Sequence, residues 1–276
     1  MKSAYGKVVL ITGASSGIGE ATAKFLARQG FKVYGTSRKA DNGSITYADD
    51  ITKGFVKMVR LDVCDDQSVA EAVDYVMSQE GQIDVLINNA GFGISGAIEE
   101  TSESEAYSQL NTNFFGVHRM CRKVLPIMRE QKKGLIINIG SVAGQFAIPY
   151  QAMYSASKYA LEAYTEALRM EVRDFGIRAA IVEPGDTRTG FTDNRYFCKE
   201  FENSVYPKCK SSIEKMIKDE KNGAKPEDIS RVILKLIGKN EPPVRVTVGF
   251  VYKAFVFLKR FFPSRFTEFV LRKMYA

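Results

Sequence analysis

A chain of 276 residues, 45% hydrophobic and 26% charged, has the size and composition of one generous globular core, which excludes disordered and collagen-like classes. Its formal net charge of +7 is mild for that length, and no nucleic-acid motif accompanies it. Cys64, Cys121, Cys198 and Cys209 form no C-x-x-C pair and the single histidine, His118, has no companion ligand, so free thiols and no metal site are expected.

The short polar start leads straight into an apolar strand, which predicts no secretion signal. No apolar run approaches the roughly 20 residues of a spanning helix, so a cytoplasmic protein is expected, with any membrane contact peripheral. From residue 7 onward, β-branched runs alternate with helical patterns. Strands are expected at 7–12, 32–36, 56–61, 85–88, 135–139, 178–182 and 244–248, and helices at 18–28, 67–79, 103–130, 154–174 and 226–239. In the first helix Ala21, Phe25 and Leu26 recur at helical spacing and Gly30 supplies the stop. The pattern predicts an α/β fold in a single domain: a doubly wound parallel sheet of seven strands with helices on both faces. Two segments break the alternation. Residues 37–55 are polar, with an Asp41-Asn42-Gly43 turn signal, and read as a loop or short helix. Residues 190–224, with aromatics, Pro207 and many charges, are too long for an ordinary connection and read as a substrate lid. The catalytic domain is thus expected over 1–249, with 250–276 as an extension.

Between the first strand and the first helix lies Thr12-Gly13-Ala14-Ser15-Ser16-Gly17-Ile18-Gly19. Gly13 permits a tight turn, Gly17 a close backbone approach to a pyrophosphate and Gly19 close helix–strand packing, while the helix N-terminus presents N–H groups to the anion. With this turn the sequence resembles the short-chain dehydrogenase/reductase family, whose cofactor turn is Thr-Gly-x-x-x-Gly-x-Gly. The likeness continues in order through Asp62-Val63, Asn88-Asn89-Ala90-Gly91, Asn113, Ser141, Tyr154-x-x-x-Lys158 and Pro184-Gly185 with Thr187 and Thr189, over about residues 7–189. It is closest in pattern to the hydroxysteroid and retinol dehydrogenase branches.

The resemblance implies a Rossmann-type fold and cofactor contacts from Gly13, Ser15, Ser16, Gly17, Ile18 and Gly19, from Asp62 and Val63 at the adenine, from Asn89, Ala90 and Gly91, and from Pro184, Gly185, Thr187 and Thr189 at the nicotinamide end. It implies a catalytic set of Asn113, Ser141, Tyr154 and Lys158, in which Ser141 bonds the reacting oxygen, Asn113 organises a relay water and Lys158 also holds the nicotinamide ribose. It further implies a homodimer or tetramer, joined through the helices that carry Asn113 and Tyr154.

The residues support that chemistry on their own terms. Tyr154 and Lys158 are four apart on a predicted helix, so both project from one face. An ammonium beside a phenol favours phenolate, so Lys158 is expected to bring Tyr154 down from its usual pKa of about 10. Tyr154 then exchanges the hydroxyl proton of an alcohol and its carbonyl. A Ser-His-Asp reading of Ser141 lacks the Gly-x-Ser-x-Gly elbow, and His118 reads as a packed or surface helix residue rather than a base.

At the end of the second strand, enzymes using the non-phosphorylated cofactor usually place a carboxylate against the ribose 2′-hydroxyl. Ser37 and Arg38 stand there instead, and a hydroxyl with a guanidinium bonds a 2′-phosphate, so NADP(H) is expected. Ser16 adds a further hydroxyl; Lys39 reads equally well as a helper or as a solvated side chain. Residues 93–98 and 141–150 are expected at the substrate entrance. Phe146, Ile148, Tyr150, Phe191, Tyr196 and Phe197 fit an apolar substrate such as a steroid, retinoid or lipid, or serve as plain packing. Residues 250–276 interleave aromatics with Lys253, Lys259, Arg260, Arg265, Arg272 and Lys273 and are broken by Pro263. They suit two short amphipathic helices that either lie on an anionic membrane or line the route of a lipophilic substrate, or that pack on the enzyme body or a partner subunit. The alternatives in function are a 3-oxoacyl thioester reductase of lipid synthesis, against which the long tail argues, and a catalytically silent NADP(H)-binding regulatory protein, against which the intact tetrad argues.

Overall fold

The computed structural model describes residues 3–192 and 195–275. Strand β1 (Val8–Ile11) is buried along its whole length, because helices cover both faces of the sheet. Its side chains alternate: Val8 and Leu10 join a core shared with Val73, Met120 and Leu161, while Val9 and Ile11 join one shared with Leu26, Ile229 and Ile233. The strands that follow repeat this logic. β2 (Lys32–Ser37) and β4 (Phe55–Arg60) extend the sheet on one side of β1, and β5 (Val85–Asn88), β7 (Gly134–Ile139), β8 (Ile177–Pro184) and β10 (Arg245–Val248) on the other, all parallel. Strand order therefore reverses at β1 and β5, whose C-terminal ends flank the crevice where doubly wound sheets bind ligands.

The seven expected strands are these seven, and an eighth was not foreseen. β3 (Ile45–Ala48) pairs antiparallel with β4 at the sheet edge, inside the segment read as a loop or short helix. It is short, largely exposed, and slips register between Ile45 and Tyr47, so its alternation is lost among polar neighbours. A two-stranded parallel sheet of β6 (Ile94–Ser95) and β9 (Tyr196–Phe197) stands apart and ties the lid segment to the loop after β5.

Helices α1 (Gly17–Arg28) and α7 (Pro226–Ile237) pack together on one face, and α2 (Asp66–Glu80) lies on the other. The Asp65 side chain caps α2 by accepting from the backbone N–H groups of Gln67 and Ser68. The long helix expected over 103–130 is three pieces: α3 (Glu103–Leu110), a π-helical turn over Asn111–Phe115, and α4 (Gly116–Glu130). Within the segment expected to be a lid, α6 (Cys209–Lys221) is a regular helix. α5 (Ala152–Glu171) crosses the sheet beside β8. After β10 the chain forms α8 (Phe250–Lys259) and α9 (Ser264–Tyr275), separated at Pro263. Among the described residues no helix is long and apolar enough to cross a membrane.

Candidate active site

The glycine turn is built as a backbone cradle. Gly13 and Gly17 hold φ of +66° and +58°, a region that L side chains rarely adopt. A Cβ on Gly13 would lie 2.9 Å from the Ala90 Cα, and one on Gly19 would collide with the Gly13 carbonyl. Asn89 locks the turn to the end of β5 by donating from Nδ2 to the Thr12 and Gly13 carbonyls, both at 2.9 Å. The Thr12 hydroxyl accepts from the backbone N–H groups of Asn89 and Ala90 at 2.9 and 3.0 Å. Ser16 caps α1 with its backbone only, which leaves the helix N–H groups without a side-chain acceptor. Ser15 and Ser16 are exposed on the turn, and Ile18 packs against the core below it.

The other expected cofactor residues ring this cradle. Ser37, half-buried, ends β2, and Arg38 and Lys39 follow it fully exposed; the Ser37 hydroxyl accepts from the Lys39 N–H at 3.1 Å. Asp62 and Val63 follow β4, with the Asp62 carboxylate accepting from the Cys64 N–H at 2.9 Å and Val63 buried against Gly116. Gly91 sits beside the Asn113 amide. Pro184 ends β8, Thr187 folds back to the Gly185 carbonyl at 2.8 Å, and Thr189 comes against Gly17. The segment after β8 thus closes over the glycine turn. An open glycine cradle and an uncapped helix start fit the pyrophosphate of a nicotinamide dinucleotide.

The expected catalytic set converges at the C-terminal ends of β5 and β7. Ser141 follows β7, and its hydroxyl accepts from the Ala143 N–H at 3.1 Å and bonds the Tyr154 phenol. Lys158, one turn on from Tyr154 along α5, is buried and donates to the Ile139 carbonyl at 2.8 Å; its Nζ stands 5.7 Å from the Tyr154 ring centre. Asn113 lies in the π-helical turn, where its amide donates to the Phe92 carbonyl at 2.9 Å and to the Ser157 hydroxyl at 3.2 Å and accepts from the Phe92 N–H at 3.1 Å. The extra backbone residue of a π turn redirects a side chain without ending the helix, and no periodicity in the sequence announces it.

One electrostatic expectation reverses. Burial pushes the Tyr154 phenol up to about 12, while the Ser141 hydrogen bond opposes it. Burial likewise drives the Lys158 ammonium down to about 8, with Glu162 opposing. The phenol is accordingly held protonated at neutral pH.

Sequence reading missed two charged clusters, because their members come from distant segments without a recurrent spacing. In the lid, buried Arg195 pairs with Glu220 of α6 and donates to Ser95 at 2.8 Å, with Thr192 donating to Glu220 at 2.6 Å. Asp186, bonded by the Tyr252 hydroxyl, lies nearby; Glu220, Arg195 and Asp186 all act on the Tyr154 phenol. Behind Lys158, buried Glu162 meets buried Glu183 and the Arg245 guanidinium at 3.2 Å. Burial first, and then Glu183, push the Glu162 carboxyl up to about 8 against the pull of Arg245.

Of the expected substrate wall, Phe191 packs 5.7 Å from Tyr154 and Tyr196 packs 5.2 Å from Phe92, while Tyr150 adopts φ of +60° and faces Tyr206. His118 is a packed residue, 3.3 Å from the Tyr164 hydroxyl.

A sequence model of the family described as short chain dehydrogenase matches residues 7–197. The chain is 45% identical over 273 residues to a 3-ketodihydrosphingosine reductase of Bacteroides thetaiotaomicron, covering 98% of each protein. It is 33% identical to retinol dehydrogenase 8 of Bos taurus, over 94% of this chain and 86% of that one. Among solved structures it is similar to a short-chain dehydrogenase/reductase of Burkholderia phymatum in complex with NAD, with a TM-score of 0.80, 26% identity and coverage of 94% and 95%.

Proposed function

Because the chain belongs to the short-chain dehydrogenase/reductase family, we propose that it is an NADPH-dependent reductase of a bulky apolar ketone, with a long-chain keto lipid as substrate. The observation that carries the reading is the Ser141–Tyr154–Lys158 group, in which Ser141 bonds a half-buried tyrosine hydroxyl beside the Lys158 ammonium, so that the phenol can give a proton to a carbonyl oxygen. The substrate class draws on the name of the Bacteroides relative and on the apolar wall of Phe191, Tyr150 and Tyr196. Preference for the phosphorylated cofactor rests on Ser37 and Arg38.

In this reading the glycine turn, Ser37 and Arg38, Asp62 and Val63, Asn89 to Gly91 and the 184–189 segment hold the dinucleotide, which supplies the hydride when bound. Ser141 donates a hydrogen bond to the substrate carbonyl and stabilises the charge that develops on it. Tyr154 donates its proton to the same oxygen. Lys158 offsets the negative charge left on the phenol, and Asn113 fixes Phe92 and Ser157 around them. The proposal extends to a homodimer or tetramer in the cytoplasm, and to peripheral membrane contact through residues 250–276.

The test is turnover of purified enzyme on 3-ketodihydrosphingosine and on a short soluble ketone, with NADPH and NADH compared. Higher kcat/KM with NADPH is expected, and a clear preference for NADH overturns the cofactor assignment. Tyr154→Phe is expected to lower kcat by about 10²–10⁴ while NADPH still binds. A variant that keeps near-normal turnover removes Tyr154 as the proton donor.

A further inference from the structure

The outer side of the α8–α9 hairpin is an exposed aromatic surface that the reductase chemistry does not use. Phe250, Phe257, Phe261 and Phe269 are 87%, 58%, 70% and 57% exposed, and Phe262 and Phe266 stack beside them with ring centres 4.5 Å apart. Residues 250–275 carry six cations, Lys253, Lys259, Arg260, Arg265, Arg272 and Lys273, against the single acid Glu268. Apolar rings standing in water amid an excess of cations match a layer with an apolar interior and an anionic face. With Lys259 turned inward, two copies of the same face would set five exposed cations against five, which disfavours a second copy of this chain as the occupant.

The inner side of the hairpin is fastened to the active site. The Tyr252 hydroxyl bonds Asp186, and its ring lies so close to Gly185 that any side chain there would collide with it. Lys259 reaches across to the Gln145 carbonyl and sits 5.2 Å from the Phe146 ring centre, on the rim that follows Ser141. At the far end, Lys215 of α6 donates to the Met274 carbonyl at 2.6 Å and Ser212 of α6 to the Tyr275 carbonyl. The hairpin therefore holds both the lid helix and the chain segment beside Tyr154.

We propose that the α8–α9 hairpin docks on an anionic lipid surface and transmits that docking, through Tyr252 and the α6 contacts, to the lid over the active site. The inference rests on reading that site as one that takes a lipid ketone. Docking brings the substrate entrance to the layer in which such a ketone dissolves, and the hairpin couples lipid contact to the position of α6 and Asp186.

The full chain is mixed with sucrose-loaded vesicles of phosphatidylcholine, with or without 30 mol% phosphatidylglycerol (about one lipid in three, enough to give the surface a strong negative potential), and sedimented. In parallel, NADPH oxidation is followed with the soluble ketone. Binding at least tenfold tighter to the anionic vesicles and weakened by salt is expected, together with a vesicle-dependent fall in KM for the soluble ketone. Phe257→Ser with Phe261→Ser is expected to abolish sedimentation while turnover of the soluble ketone without vesicles stays within twofold. Tyr252→Phe is expected to keep sedimentation and lose the vesicle effect on KM. No binding to either vesicle overturns the proposal, and a Phe257→Ser/Phe261→Ser protein that instead falls to a smaller oligomer overturns it and makes the face a subunit interface. Vesicle binding with no turnover of any ketone would strike the reductase reading and leave the docking in place.

Discussion

At the scale of single residues, Tyr154 and Lys158 show how far a spacing carries. Their separation of four predicts proximity, and they are close; it predicts nothing about the dielectric around them, and burial reverses the expected direction of the tyrosine pKa. Glu162 extends that lesson, since helical spacing puts it one turn past Lys158, but its neighbours Glu183 and Arg245 arrive from β8 and β10. Its carboxyl is raised from 4.5 to about 8, so the folded state binds its proton more tightly than the unfolded state does. The stability this contributes is complete below about pH 4.5 and is lost as pH rises through about 8. Glu162→Gln keeps the shape of the neutral form and cannot ionise. Melting temperatures of the two proteins from pH 5 to 8.5 are expected to diverge in favour of the variant as pH rises; parallel curves would mean that Glu162 is already ionised in the native protein.

At the scale of elements, the parallel strands were legible because a strand buried on both faces is apolar throughout, whereas β3 was not because an exposed, bulged edge strand has no such constraint. The glycine turn was legible for a related reason. Gly13 and Gly17 take positive φ and Gly19 admits no Cβ, so each is required by geometry that the motif encodes. Gly19→Ala must push the Gly13 carbonyl and the Asn89 amide apart, which opens the turn and loosens the Asn89 clamp. A loss of NADPH affinity of at least tenfold is expected, with a fall in melting temperature, as read by nicotinamide fluorescence titration and thermal denaturation. Unchanged affinity would place the dinucleotide elsewhere. By contrast, the π-helical turn that aims Asn113 at Phe92 and Ser157 leaves no trace in a helical pattern that reads continuously from 103 to 130.

At the scale of the whole molecule, the pieces that the sequence left undefined, the segments carrying α6 and α8–α9, are tied to the α/β body through Arg195–Ser95 and Tyr252–Asp186 and to each other through the α6–α9 contacts. Within the 190–224 segment, Arg195 pairs with Glu220. Arg195 has a side chain only 1% exposed, links the lid to Ser95 in β6, and keeps its Nε without a partner among the described residues. A buried ion pair contributes little net stability when intact but costs about 3–5 kcal/mol when one member is removed, because the other charge stays buried and unpaired. Arg195→Met therefore leaves the mostly buried Glu220 carboxylate of α6, near Tyr154 and Asp186, without its cation and with the Thr192 hydroxyl as its remaining donor among the described residues. The α/β body, with its two apolar cores, does not depend on that pair, so the cost falls on the segment that carries it. Arg195→Met is expected to raise KM for the ketone at least tenfold and to make the 190–224 segment an early site of proteolysis, with NADPH affinity within twofold of wild type. The double variant Arg195→Met/Glu220→Leu removes both charges and is expected to recover much of the protease resistance, since an apolar pair of similar volume needs no solvation. A single variant that loses NADPH binding and ketone affinity together would instead make the lid part of the cofactor-holding body.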